Sequence, residues 1–70
     1  MDELTWFGAW LKRRRRALDL TQEELADRAG LHPNYIGRIE RGESNVGVKA
    51  LFKLARGLGV EPAALFGPSF

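Results

Sequence analysis

Apolar residues recur along this chain at intervals of three and four, and no stretch alternates as a half-buried strand would. Leu4, Phe7, Leu11, Arg15 and Leu18 share one face of a helix predicted over about Glu3 to Leu18. A second helix opens at Thr21, where Glu24 three residues on completes a capping box that satisfies two otherwise orphaned amides. Leu25, Ala26 and Ala29 form its inner face, and Gly30 supplies the residue that ends it. Pro33 suits the first position of a third helix, which carries Ile36, Ile39 and Glu40 inward and runs to about Arg41 before Gly42. After the loop GESNVG, a fourth helix is predicted over about Val48 to Leu58, with Val48, Leu51, Leu54, Ala55 and Leu58 inward. Pro62 starts a short fifth helix ending near Phe66, and Gly57 and Gly59 are counted among the breaks. The prediction is an all-α, five-helix domain, with residues 1–70 forming one unit.

Composition narrows the possibilities. Apolar residues make up 44% and charged residues 29%, the balance of an ordinary globular domain. No apolar run approaches the roughly 20 residues of a membrane span, and Met1-Asp2-Glu3 is acidic, unlike a secretory signal, so a cytoplasmic, nucleoid-associated location is expected. The absence of cysteine excludes disulfides and thiolate metal sites, and a single histidine makes no metal site alone. No metal or cofactor is expected. A core this small is marginal, which leaves oligomerisation as the expected source of added stability. The net charge is only +2, with six cations against six anions in residues 1–30 and five against three afterwards. Any grip on a polyanion must therefore use local patches. Enzymatic chemistry lacks an inventory: GESNVG has no Gly-Lys-Ser/Thr for a phosphate loop, and no motif supports a triad of Ser44 or Ser69 with His32.

Two helices joined by the three residues Gly30 to His32 suggest a helix-turn-helix. Residue types sharpen this. Leu20-Thr21-Gln22-Glu23-Glu24-Leu25-Ala26, Ala29-Gly30-Leu31, Tyr35-Ile36, Ile39-Glu40-Arg41-Gly42, Leu51, Leu54-Ala55 and Leu58-Gly59-Val60 follow one another without gaps. In this the chain resembles the phage repressor/Cro type of helix-turn-helix regulator over nearly its whole length. YIGRIERGESNVGVKAL and the short length make it most similar to the controller proteins of restriction–modification systems. The resemblance implies a double-stranded DNA operator as partner, a homodimer on two half-sites, and the third helix in the major groove.

The same resemblance assigns roles by position. Gln22, at the start of the second helix, would bond a phosphate and a base-reading neighbour. The outward face of the third helix holds Pro33, Asn34, Gly37, Arg38 and Arg41. There an asparagine can pair with adenine and an arginine with guanine, which makes Asn34 and Arg38 the base-reading candidates. Proline offers at most a methyl contact, and glycine no side chain, so DNA shape would decide part of the choice. Tyr35 would pack with its hydroxyl on a phosphate or form a plain hydrophobic edge. His32 would cap the third helix or touch a phosphate. Ser44, Asn45 and the Val46 and Gly47 amides suit the DNA backbone, as they suit an ordinary turn. Lys49 would reach a phosphate or stay solvated.

Five adjacent cations, Lys12 to Arg16, invite a nucleic-acid reading, but their helix divides them. Arg15 falls on the inner stripe and needs a carboxylate, for which Glu40 is the expected partner. Arg14 lies at the stripe's edge, Arg16 can pair with Asp19, and Lys12 and Arg13 remain as candidate backbone grips. Trp6 and Trp10 are expected as additional core. Leu65, Phe66 and Phe70 are the dimer candidates. Glu23, Glu24 and Asp27 give the second helix an acidic face that could meet RNA polymerase, although a solvated face is the plainer account. The rival from another class is a protein-interaction module, an antitoxin or adaptor, that kept the fold without the DNA grip.

Overall fold

The computed structural model describes residues 2–66. Four α-helices are present: α1 (Glu3–Ala17), α2 (Gln22–Ala29), α3 (Pro33–Glu40) and α4 (Val48–Leu58). The predicted fifth helix is a single 3-10 segment, Pro62–Phe66. Proline fixes its first φ, and the Ala64 N–H donates to Glu61 O at 2.9 Å in the i→i+3 pattern common in such short segments.

Local chemistry explains the boundaries. The Asp2 side chain accepts the Thr5 N–H at 2.8 Å and caps α1. In α2 the Thr21 hydroxyl accepts the Glu24 N–H at 3.0 Å, while the Glu24 carboxylate accepts the Thr21 N–H at 2.8 Å, so the expected capping box forms. Gly30, Gly42 and Gly59 each take φ near 70° after α2, α3 and α4. Asp19 fills the corresponding place after α1 with φ 58°, a conformation that costs an L-residue energy. There the Leu20 N–H reaches Arg15 O and the Asp19 N–H reaches Arg16 O, the paired bonds of a Schellman closure.

Every element places a fully buried aliphatic side chain in one core: Leu11 from α1, Leu25 from α2, Ile36 and Ile39 from α3, Leu54 from α4 and Leu65 from the 3-10 segment. Burying each stabilises the fold by roughly 1.5–3 kcal/mol before entropy is counted. Helix α2 packs against α4 and α3, while α1 packs against α3. Two of these contacts depend on glycines inside helices. A Cβ on Gly8 would stand 2.3 Å from Ile39 O, and one on Gly57 would stand 3.1 Å from Ala29. Gly57 is therefore no break; it lies within α4 and lets α2 approach.

Some predicted inner positions lie elsewhere. Val48 is 68% exposed, because the face it shares with Leu51 and Ala55 runs past the end of the core at the first residue of α4. Leu18 falls beyond the last turn of α1 and is also exposed. Trp10 is half-buried and stacks on Phe7 with ring centroids 5.9 Å apart. Trp6, expected in the core, is 40% exposed and borders an apolar groove instead. Among the described residues no helix is long and apolar enough to cross a membrane.

Candidate nucleic-acid interface

Helices α2 and α3 meet at the tight turn Gly30–His32, and the outward face of α3 is left open. Pro33 occupies the first turn of α3, and His32 caps it by accepting the Asn34 N–H on Nδ1 at 3.1 Å. His32 thus has a structural task, with its ring exposed at the helix start. Beyond it, Gln22, Pro33, Asn34, Gly37, Arg38 and Arg41 line one depression of about 300 Å³. Five of these are residues that the sequence offered for DNA contact; the sixth, Gly37, forms the floor.

Behind this depression lies the polar centre of the fold. Arg15 Nε donates to Glu40 Oε2 at 2.6 Å, and Arg15 Nη2 donates to Glu40 Oε1 at 2.9 Å. The two side chains are only 9% and 3% exposed. A third bond, from Arg15 Nη1 to Leu20 O at 2.7 Å, ties the same guanidinium to the chain entering α2. Hydrogen bonding to Glu40 holds the Arg15 guanidinium above its usual pKa against the opposing effect of burial. The pair therefore fixes α1, the entry to α2 and the end of α3 at one point. Gln22 joins it, donating from Nε2 to Glu40 Oε1 at 3.1 Å. The neighbour of Gln22 is thus this buried carboxylate, not a base-reading side chain as expected.

The remaining candidates stand outside the depression. The Tyr35 ring is half-buried, with the Arg38 guanidinium 5.7 Å from its centroid. Its hydroxyl donates to Asn45 O at 3.3 Å, so the expected phosphate contact would have to displace that bond. The Val46 amide, expected to be free, donates to Asn45 Oδ1 at 3.0 Å, which leaves the Asn45 amino group and the Gly47 N–H as donors on this loop. Ser44 is half-buried beside it, and Lys49 is exposed in the first turn of α4. Arg41 Nε pairs with Glu43 at 3.1 Å on an exposed edge, where such a pair stabilises little.

In the basic run, Lys12, Arg13, Arg14 and Arg16 are exposed and Arg14 lies over the Trp10 ring at 6.0 Å. Among the described residues no ion pair joins Arg16 to Asp19, whose backbone turns away at its positive φ. Leu65 is withdrawn from the dimer candidates, because at 0% exposed it belongs to the core. Phe66 remains at the surface and borders the apolar groove of about 480 Å³ that also takes in Leu4, Trp6, Val46 and Leu51. Phe70 lies outside the described residues. The sequence reading placed Gly37 on the outward face as a point of close approach but missed Gly8, for which a glycine inside a helical pattern was the available signal.

A family model described as helix-turn-helix matches residues 11–65. An uncharacterized HTH-type transcriptional regulator of Sinorhizobium fredii, y4dJ, is 39% identical over 69 residues, covering 99% of this chain and 90% of that protein. The control protein C.SmaI of Serratia marcescens is 50% identical over 40 residues, 57% of this chain and 48% of its own. The restriction-modification controller protein C.AhdI of Aeromonas hydrophila superposes with a TM-score of 0.89 at 44% identity, over 91% of this chain and 97% of its own. C.Esp1396I, solved as a tetramer in complex with its natural 35 base-pair operator, matches at a TM-score of 0.83 and 33% identity, over 90% of this chain and 83% of its own.

Proposed function

The chain belongs to the helix-turn-helix family, and on that premise we propose that it binds operator DNA as a homodimer with α3 in the major groove. It is a DNA-binding regulator of transcription and not an enzyme, in keeping with relatives named as control proteins and transcriptional regulators. The observation that carries the fuller reading is the depression that gathers Gln22, Asn34, Arg38 and Arg41 from two helices on one uncovered face. Arg38 and Asn34 read base edges there. Gln22, the Asn45 amino group and Lys49 hold the phosphate backbone, which positions the protein without specifying sequence. Phe66 and the groove beside it supply the contact between the two copies. C.Esp1396I, solved as a tetramer on its operator, offers a parallel for assembly on DNA.

The test is selection of random duplexes on the purified protein, followed by titration of the enriched site in rising salt. The expected result is a two-fold-related site bound with an affinity that falls steeply as salt rises. Recovery of no enriched duplex, or salt-insensitive binding to a protein alone, would sink the reading.

A further inference from the structure

Glu40 does more than close an ion pair. A carboxylate only accepts hydrogen bonds, and Glu40 Oε1 receives both Arg15 Nη2 at 2.9 Å and Gln22 Nε2 at 3.1 Å. Arg15 grips both carboxylate oxygens, and the Glu40 side chain is 3% exposed, so this acceptor does not swing. The amino end of the Gln22 side chain must therefore face inward. Its carbonyl Oε1 is left over the floor of the depression, 3.5 Å from where a Cβ on Gly37 would stand, while Arg41 Nη1 stands 3.2 Å from the same point.

The depression thus displays an acceptor of set orientation, with Gln22 Nε2 3.8 Å from the same point, beside the exposed Arg38 and Arg41 donors. A phosphate offers acceptors only and would leave Oε1 facing oxygen. A base edge in the major groove offers both kinds of group: adenine carries its N6 amino group next to N7, and a G·C pair sets the cytosine N4 amino group beside guanine O6. We propose that Glu40 is a specificity-positioning residue, which sets the Gln22 amide so that this depression selects a base edge bearing an exocyclic amino group, that of adenine or cytosine. The proposal rests on the DNA-binding reading above. The absent side chain of Gly37 makes room for the Gln22 amide and the Arg41 guanidinium that meet the base edge, and the second Gln22 N–H stays available to the backbone.

The isosteric Glu40→Gln substitution reverses the arrangement. With only one oxygen to give, the new amide keeps it on Arg15 Nε, the shorter of the two bonds, and sets its amino group where Oε1 stood. Arg15 Nη2 loses its acceptor, which lowers stability, and Gln22 turns to present its own amino group outward. With the selected operator, binding is measured for the parent, E40Q, Q22L and the double variant on duplexes changed one base pair at a time, and folding is followed separately by thermal melting. At a single position E40Q is expected to shift preference from adenine or cytosine toward guanine or thymine by roughly five- to ten-fold. Q22L keeps the Arg15–Glu40 pair; it weakens binding to every duplex through the lost phosphate bond and, beyond that, loses preference at that one position, and adding E40Q to it changes base preference no further. A uniform loss on all duplexes in both backgrounds would show Glu40 to be merely structural and overturn the proposal. Should E40Q not fold, Q22L decides, and a loss there that leaves base preference at every position unchanged overturns it equally. Failure to select any operator removes the DNA-binding reading itself, an outcome distinct from uniform losses on a genuine site.

Discussion

Arg15 sits two residues before the end of α1 within a run of cations, yet its three bonds go to Glu40 and to the Leu20 carbonyl. Removing one partner of a buried pair leaves the other charge without compensation, at a cost of about 3–5 kcal/mol. Arg15→Ala should therefore lower the melting temperature sharply, and an unchanged melt would show that water replaces the guanidinium at no cost. Arg38 presents the opposite case, an exposed cation over the Tyr35 ring at the edge of the reading face. Arg38→Ala should leave stability nearly unaltered and relax one base position, with about 1–3 kcal/mol of discrimination lost there. An equal loss on every sequence, with a salt slope reduced by about one, would instead mark Arg38 as a phosphate clamp.

At the scale of elements, the first and last residues of each helix are the places where the sequence speaks most directly. Thr21 with Glu24, Pro33, Gly30 and Gly42 are local chemistry, so α2 and α3 could be bounded before any tertiary contact was known. The Arg15–Glu40 pair was legible for a related reason, since a charge on an apolar stripe demands a partner. Val48, Trp6 and Leu65 were not legible. Which end of a face outruns the core, and whether a short C-terminal segment turns inward, are set by packing between elements and not by spacing within one. Two predictions follow from the helix ends. Asp19 holds φ 58° where its three counterparts are glycines, and Asp19→Gly should stabilise the protein by about 1 kcal/mol in denaturant unfolding. Backbone hydrogen bonds from Thr5 and Thr21 hold the Asp2 and Glu24 carboxyls below their ordinary pKa values. Their caps are therefore intact above the ordinary carboxylate range and are lost as pH falls through the lowered folded-state values. Melting temperature should decline in that acid window, and Glu24→Gln, which can still accept the Thr21 N–H but cannot titrate there, should flatten the decline. An acid limb of the same steepness in that variant would assign the effect elsewhere.

The described residues span 27 × 24 × 23 Å, with the depression between α2 and α3 on one side. On the proposed homodimer reading a single copy covers one half-site, which makes operator affinity depend on protein concentration. Phe66→Glu should leave the fold intact and weaken cooperative occupancy of the second half-site, as gel shifts across a protein titration would display; unchanged cooperativity would place the contact on another surface. Such a pair imposes a tolerance on its parts, because half-sites lie about 34 Å apart and each recognition helix must arrive at the correct angle. The approach of Gly8 to the Ile39 and Glu40 carbonyls supplies that tolerance. With backbone resting on backbone, and no compressible side chain between, α3 has a hard stop at its C-terminal end. In the proposed dimer the distance between two grooves of DNA is then referred, through each copy, to a backbone contact as well as to the Arg15–Glu40 pair.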